Sequence, residues 1–234
     1  MNEKTQQKDN QVVSGNALAL VSGGMDSAVA AGLAGEAGYR IYALSFDYGQ
    51  RQRIELEYAR KVGSWLGAVE HMIIGVELDK IGGSALTDPT PVPKDRKDPG
   101  IPVTYVPARN IIFLAIALAW AEVLSAKRIV IGANAIDFSG YPDCRPGFME
   151  AFQQVAETGT KAGLEGKAPL IWAPLMNMKK AEIVKEGIRL GLDFGMTCSC
   201  YDPDPTGKPC LHCDACRLRE KGFFEAGIKD PLAG

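Results

Sequence analysis

No stretch of this 234-residue chain is apolar for long enough to cross a bilayer. The most apolar run, Ile111 to Ala121, falls well short of the roughly 20 residues that a spanning helix needs, so a buried core helix is expected there. An excess of one charge is missing too, with 26 Lys and Arg against 28 Asp and Glu. A broad nucleic-acid-binding face normally shows as a strongly basic domain, so neither nucleic acid nor membrane is expected as a partner. Met1 to Asn16 is polar and lacks the apolar centre of a secretory signal; a mobile extension is expected. No internal repeat is evident. Cysteine is absent before Cys144, and five of the six cysteines fall between Cys198 and Cys216. A disulfide-stapled secreted chain would spread them out. Clustering at one end of an ordinary chain points to a metal in the reducing cytoplasm.

What is present alternates between strand and helix. Strands are expected at 17–21, 39–46, 69–74, 128–132 and 170–174. Helices are expected at 28–37, 51–65, 109–126, 148–159 and 179–190. In the second, Ile54, Tyr58, Val62 and Trp65 recur at helical spacing. This alternation implies an α/β fold with a doubly wound, mostly parallel sheet. The expected organisation is an extension at 1–16, an α/β domain at 17–196 and a C-terminal tail at 197–234. Between Gly82 and Pro107 stand six prolines and no periodicity; a lid or substrate loop is expected.

Ser22-Gly23-Gly24-Met25-Asp26-Ser27 lies between the first strand and an alanine-rich helix. A glycine turn there aims backbone N–H groups, serine hydroxyls and a helix N-terminus at one spot, which suits phosphate. The segment has no Walker lysine to grip β- and γ-phosphates. The string resembles the PP-loop of the ATP pyrophosphatase superfamily. That resemblance implies an adenine nucleotide alpha hydrolase-like fold, cleavage of ATP between its α- and β-phosphates, and ATP held with Mg²⁺ by Leu20, Val21, Ser22, Gly23, Gly24, Met25, Asp26 and Ser27. Phe46 and Asp47, at the end of the second strand, should border the adenosine. Asp26 either binds Mg²⁺ or caps the helix. Arg109 opens the buried helix, where it either reaches phosphate in bidentate fashion or pairs with a carboxylate. Lys179 and Lys180 begin another helix, an unfavourable place for cations unless an anion is near. One of them, taken as Lys180, should reach a phosphate; a solvated lysine pair is the alternative.

Cys200, Cys210, Cys213 and Cys216 are spaced C-x9-C-x2-C-x2-C. Four thiolates suit one structural Zn²⁺ and leave no open position for water. An iron–sulfur cluster is the second choice, and an RNA-binding zinc knuckle is the rival reading of the cluster. Cys198 and His212 are not expected as ligands, and Cys144 is expected to be a packed thiol.

Four further strings sharpen the resemblance. They are Phe46-Asp47-Tyr48-Gly49-Gln50-Arg51, Val106-Pro107-Ala108-Arg109-Asn110, the segment from Asp137 to Arg145, and Ser199-Cys200-Tyr201 followed by C-x2-C-x2-C. With the PP-loop they resemble the 7-cyano-7-deazaguanine synthase family of queuosine and deazaguanine biosynthesis, although the family usually has glycine where this chain has Ala108. The resemblance implies ATP-dependent conversion of 7-carboxy-7-deazaguanine and ammonia to the nitrile, by a cytoplasmic ligase that is often a homodimer. Asp26, Ser27, Arg109 and Lys180 would serve the chemistry. Asp137, Tyr141, Asp143 and Arg145 would form the purine-like pocket, or else a hydrogen-bonded loop without a ligand. A tRNA sulfur transferase, or a non-catalytic nucleotide- or RNA-binding module, would be the competing functions.

Overall fold

A computed structural model describes residues 15–96, 100–136 and 140–232. Five strands form one sheet: β1 (Asn16–Leu20), β2 (Arg40–Asp47), β3 (Glu70–Gly75), β4 (Arg128–Val130) and β5 (Leu170–Trp172), in the order β3-β2-β1-β4-β5. Every pairing is parallel, with Leu20 opposite Leu44 and Ala19 opposite Val130. Strands buried on both faces read as continuous apolar runs, as Ala17 to Val21 does.

Alternate β1 side chains serve two cores. Leu18 and Leu20 join Leu44, Leu114 and Ile129 on one face, while Ala17, Ala19 and Val21 join Val29, Ala43 and Ile183 on the other. Helices α3 (Arg109–Val123) and α4 (Pro146–Gly159) cover the first face. Helices α1 (Met25–Glu36), α2 (Glu55–Trp65) and α6 (Lys180–Arg189) lie on the second. Alanines at 28, 30, 31 and 34 let α1 approach the sheet closely, and all four are buried. The doubly wound α/β expectation is therefore met. Strand order reverses at β1, so the crevice beyond its carboxyl end is the place for a ligand. Among the described residues no helix is long and apolar enough to cross a membrane.

Several boundaries differ from expectation. Helix α2 starts at Glu55, not Arg51, because Arg51 to Ile54 form turns that bring Gln52 inward. Helix α1 starts at Met25, so half of the PP-loop is its first turn. Two helices lacked a clear sequence signal, the short α5 (Lys161–Leu164) and the long α7 (Asp214–Ala226). Helix α7 begins inside the cysteine cluster and ends at Gly227 in the left-handed region, with φ of 72°.

The described part of 82–107 is a packed strap and not a free lid. Ala85, Leu86, Val92 and Val106 are buried. Its Asp95 N–H donates to the His212 carbonyl at 2.9 Å, and Lys94 pairs with Asp202 at 2.7 Å, tying the strap to the tail.

At the end of the strap Ala108 adopts φ of 56° and ψ of 19°, the left-handed region, just before α3. An L-residue there costs about 1–2 kcal/mol, and glycine avoids that cost but gives up chain entropy. Ala108→Gly is therefore expected to stabilise the protein by about 0.5–1 kcal/mol and to raise Tm by roughly 1–3 °C. Calorimetry checks it; a fall in Tm would show that the alanine methyl contributes more packing than the backbone loses.

Candidate active site

One cavity of about 220 Å³ opens at the carboxyl end of β1. The PP-loop forms one wall: Ser22, Gly24, Met25, Asp26 and Ser27 line it, with Leu20, Val21 and Phe46 beside them. The Ser27 hydroxyl organises the turn. It accepts from the Ser22 N–H at 3.1 Å, donates to the Gly24 carbonyl at 3.0 Å, and lies 3.1 Å from the Ser22 hydroxyl. No side chain caps α1, whose N-cap is Gly24; the first amides of any helix have no partner within it. Asp26 is thus not the helix cap.

Its carboxylate instead accepts from Lys180 Nζ through both oxygens, at 2.9 and 2.8 Å. Lys180 is buried, at 5 % exposure, while Lys179 is exposed and its backbone N–H donates to Glu182 at 2.6 Å. Of the two lysines, Lys180 lines the cavity. Two supports hold it. The Asn134 amide donates to the Leu175 carbonyl at 3.0 Å and to the Met178 carbonyl, fixing the loop before α6. Gly222 of α7 makes room for the lysine stem: a Cβ there would lie 2.3 Å from Lys180 Cγ. A second close approach is at Gly132, where a Cβ would fall 2.7 Å from the Ser27 nitrogen. Any side chain at 132 would push the PP-loop out of place.

The facing wall is built from α3, the turn after β2 and the tail. Arg109, Asn110 and Phe113 come from α3, Tyr48, Gln52 and Glu55 from the turn and first residue of α2, and Tyr141 and Tyr201 from flanking loops. The Arg109 guanidinium lies 5.9 Å from the Tyr48 ring centre. Tyr141 is held by Thr104 of the strap through a 2.9 Å bond between hydroxyls. Burial pushes the Glu55 carboxyl up to about 7, against the pull of Arg109. Burial also pushes the Cys144 thiol up to about 12, so it stays a packed, protonated thiol, as expected.

Of the residues expected to hold nucleotide, Gly23 and Asp47 do not line the cavity. The Gly23 carbonyl accepts from the Cys198 N–H at 2.8 Å, and the Asp47 carboxylate pairs with Arg53. Asp26, Ser27, Arg109 and Lys180 all line it. Among the described residues of the expected purine pocket, only Tyr141 does so. The Asp143 carboxylate accepts from the Asn110 N–H at 3.1 Å, which anchors the first turn of α3. Arg145 is exposed at the start of α4. Asp137 lies outside the described residues. Sequence reasoning did not assign Gln52, Glu55 or Tyr201 to the site. Gln52 and Glu55 stand in a charged stretch that reads as an exposed helix; Tyr201 was visible only as a neighbour of Cys200.

The Sγ atoms of Cys200, Cys210, Cys213 and Cys216 all lie within 4.8 Å of one another, and sulfurs around one tetrahedral metal stand nearly 4 Å apart. Backbone N–H groups of Asp202 and Cys210 point to the Cys200 sulfur at 3.3 and 3.2 Å, and that of Cys213 points to Cys210 at 3.4 Å. Such bonds favour thiolates, so the four residues fit a metal ion. Cys198 is not among them; it lines the cavity. His212 is exposed and its ring lies 3.3 Å from Asp95. Arg219 is buried against Asp230 at 2.7 and 2.8 Å, Arg217 pairs with Asp95 and Glu220, and Lys221 lies 3.7 Å from Glu225.

Residues 16–227 match the family model for queuosine biosynthesis protein QueC. The chain belongs to the QueC family. It is 57 % identical over 215 residues to the 7-cyano-7-deazaguanine synthase of Azotobacter vinelandii, covering 92 % of this chain and 96 % of that one. It is 54 % identical over 227 residues to the enzyme of the same name from Desulfatibacillum aliphaticivorans, covering 95 % and 97 %. A solved 4-thiouridine synthetase, in complex with RNA and bound ATP, shares the fold at a TM-score of 0.51 and 20 % identity. That match covers 90 % of this chain and 53 % of the other. The family resemblance drawn from five short motifs thus holds over nearly the whole chain.

Proposed function

We propose that this protein is an ATP-dependent C–N ligase that turns 7-carboxy-7-deazaguanine and ammonia into 7-cyano-7-deazaguanine. Supporting it is one juxtaposition above all: the uncapped α1 turn and the buried Lys180 face Arg109 and three tyrosines across a single cavity. The first group suits a pyrophosphate leaving group and the second a flat aromatic acid.

A carboxylate is a poor electrophile because oxide leaves badly. Attack of its oxygen on the α-phosphorus of ATP expels pyrophosphate and makes AMP the leaving group. Ammonia adds to the acyl carbon, a proton is lost, and AMP departs to leave the amide. The amide oxygen then attacks the α-phosphorus of a second ATP and expels pyrophosphate. Loss of both nitrogen protons and departure of AMP from that adduct give the nitrile. Lys180, the Ser22 and Ser27 hydroxyls and the α1 amides would hold the charge that builds on pyrophosphate. Arg109 would bind the carboxylate or the α-phosphate. Mg²⁺ would enter with ATP and supply charge neutralisation on the phosphates. A Zn²⁺ on the four cysteines would be structural, since sulfur fills its coordination. The division into an α/β body ending near residue 196 and a zinc-binding tail, the cytoplasmic location and the homodimer belong to the same proposal.

The purified protein is expected to release AMP and pyrophosphate, in twice the amount of nitrile formed, only when the deazapurine acid is present. Mass spectrometry of the nitrile and chromatography of the nucleotides check this. ADP as the direct product, or AMP release indifferent to the acid, would sink it.

A further inference from the structure

The turn after β2 and the start of α2 place two acceptors on the cavity wall, Gln52 and Glu55. Gln52 is only 4 % exposed. Among the described residues, its Oε1 is the one buried side-chain oxygen or nitrogen without a hydrogen-bond partner. Leaving a buried acceptor unsatisfied is costly, a cost that persists only where something else offsets it. The other end of the amide is turned to Glu55: its nitrogen hydrogen-bonds the Glu55 carboxylate and lies 3.5 Å from the Tyr48 hydroxyl. Turning the amide over would set its oxygen against the Glu55 carboxylate, which cannot donate to it. Glu55 is held in place as well. The fully buried Gln50 donates from one nitrogen to the Glu55 carboxylate at 2.9 Å and to the Phe46 carbonyl at 3.1 Å, while its oxygen accepts from the Tyr48 N–H at 2.7 Å. A preorganised carboxylate thus stands beside a preorganised, unpartnered carbonyl oxygen.

We infer that Gln52 and Glu55 recognise the donor edge of the base, its ring N–H and 2-amino group, and so make the enzyme specific for a 2-amino-4-oxo heteroaromatic acid. The inference rests on the function proposed above and names the residues that select its substrate. A guanine-like edge presents N–H donors side by side, and a carboxylate accepts two in parallel. A carboxylic acid without that edge leaves the Gln52 oxygen stranded. Burial already disfavours charge on Glu55, with Arg109 opposing it; arriving N–H groups favour the carboxylate. The loop after β4 is a poorer candidate, because the Asp143 carboxylate is spent on the Asn110 N–H.

The test compares 7-carboxy-7-deazaguanine with its analogue lacking the 2-amino group. The wild-type protein is expected to prefer the amino form by about 100-fold or more in kcat/KM, since sites built around hydrogen bonds reject analogues that lack them. In Gln52→Leu and in Glu55→Gln the preference should shrink to about tenfold or less, chiefly through KM for the acid, with KM for ATP little changed. Circular dichroism and Tm confirm that both variants fold. Calorimetric binding of the two acids reads the same discrimination without turnover. It therefore stands apart from failure of the proposed reaction, which would show as no nitrile from the wild-type protein. Undiminished preference for the amino form in both variants would overturn the inference. So would a loss that falls on ATP, which would assign the acceptors to the adenine amine.

Discussion

The Ser27→Ala, Lys180→Gln double variant is expected to lose turnover by about 1,000-fold or more while keeping its fold. Both side chains line the cavity proposed to hold pyrophosphate. Ser27 ties the Ser22 amide and the Gly24 carbonyl into one turn, and Lys180 brings a positive charge to Asp26 at the edge of the cavity. Choosing Lys180 over Asp26 matters for the reading of the experiment. The Lys180 side chain is 5 % exposed and that of Asp26 19 %. Asp26→Asn would leave a buried ammonium without its counter-charge, at a cost of about 3–5 kcal/mol, and lost activity would be confounded with lost structure. Lys180→Gln leaves a carboxylate that borders the cavity and can be hydrated. Single-turnover AMP formation, measured beside Tm, decides the matter. A rate within about tenfold of wild type would remove this loop from the chemistry.

Cys213→Ser is expected to strip the protein of metal and lower Tm by about 10 °C or more, with activity lost as a consequence. Cys213 is fully buried, and its sulfur lies among those of Cys200, Cys210 and Cys216. Metal binding supplies much of the folding free energy of such a site. The damage should travel along α7. Cys216 sits in its first turn, Ala215, Leu218 and Arg219 line the cavity, and Gly222 seats the Lys180 stem. Loosening that helix unseats the lysine. Cys198→Ser should keep one zinc per chain, because Cys198 lies outside the set. Plasma emission spectroscopy checks both variants. Full zinc occupancy in Cys213→Ser would overturn the ligand assignment, as would iron and sulfide in protein purified without air.

The sheet and its order of elements were legible because the strands are short runs rich in apolar residues and helices such as α2 and α6 carry an amphipathic period. The PP-loop was legible because its residues are local in sequence. What escaped is instructive. Glu55 looks like one more charge on a solvated helix, and only the parallel sheet reveals that α2 begins against the cavity. Asp143 was read as a ligand because it is acidic and follows a strand. Its carboxylate meets the Asn110 N–H across 33 positions of sequence, a partnership no local pattern carries. Helix α7 was hidden because metal-ligand spacing and helical spacing overlap between Cys213 and Cys216. Ala108 was noticed as a departure from the family's glycine, but its left-handed backbone needed coordinates.

The central place of β1 has a consequence for how the chain reaches this state. Its partner on one side, β2, follows soon after, with Asn16 opposite Arg40. Its partner on the other, β4, pairs Ala17 with Arg128, and the lysine that completes the phosphate site arrives still later. Contacts between such distant segments must overcome loop-closure entropy before they reward the chain, so they form slowly. A ribosome-bound intermediate would carry the PP-loop early and yet remain inert, with the open edge of β1 exposed until β4 emerges. Competence comes last, when α6 and α7 dock.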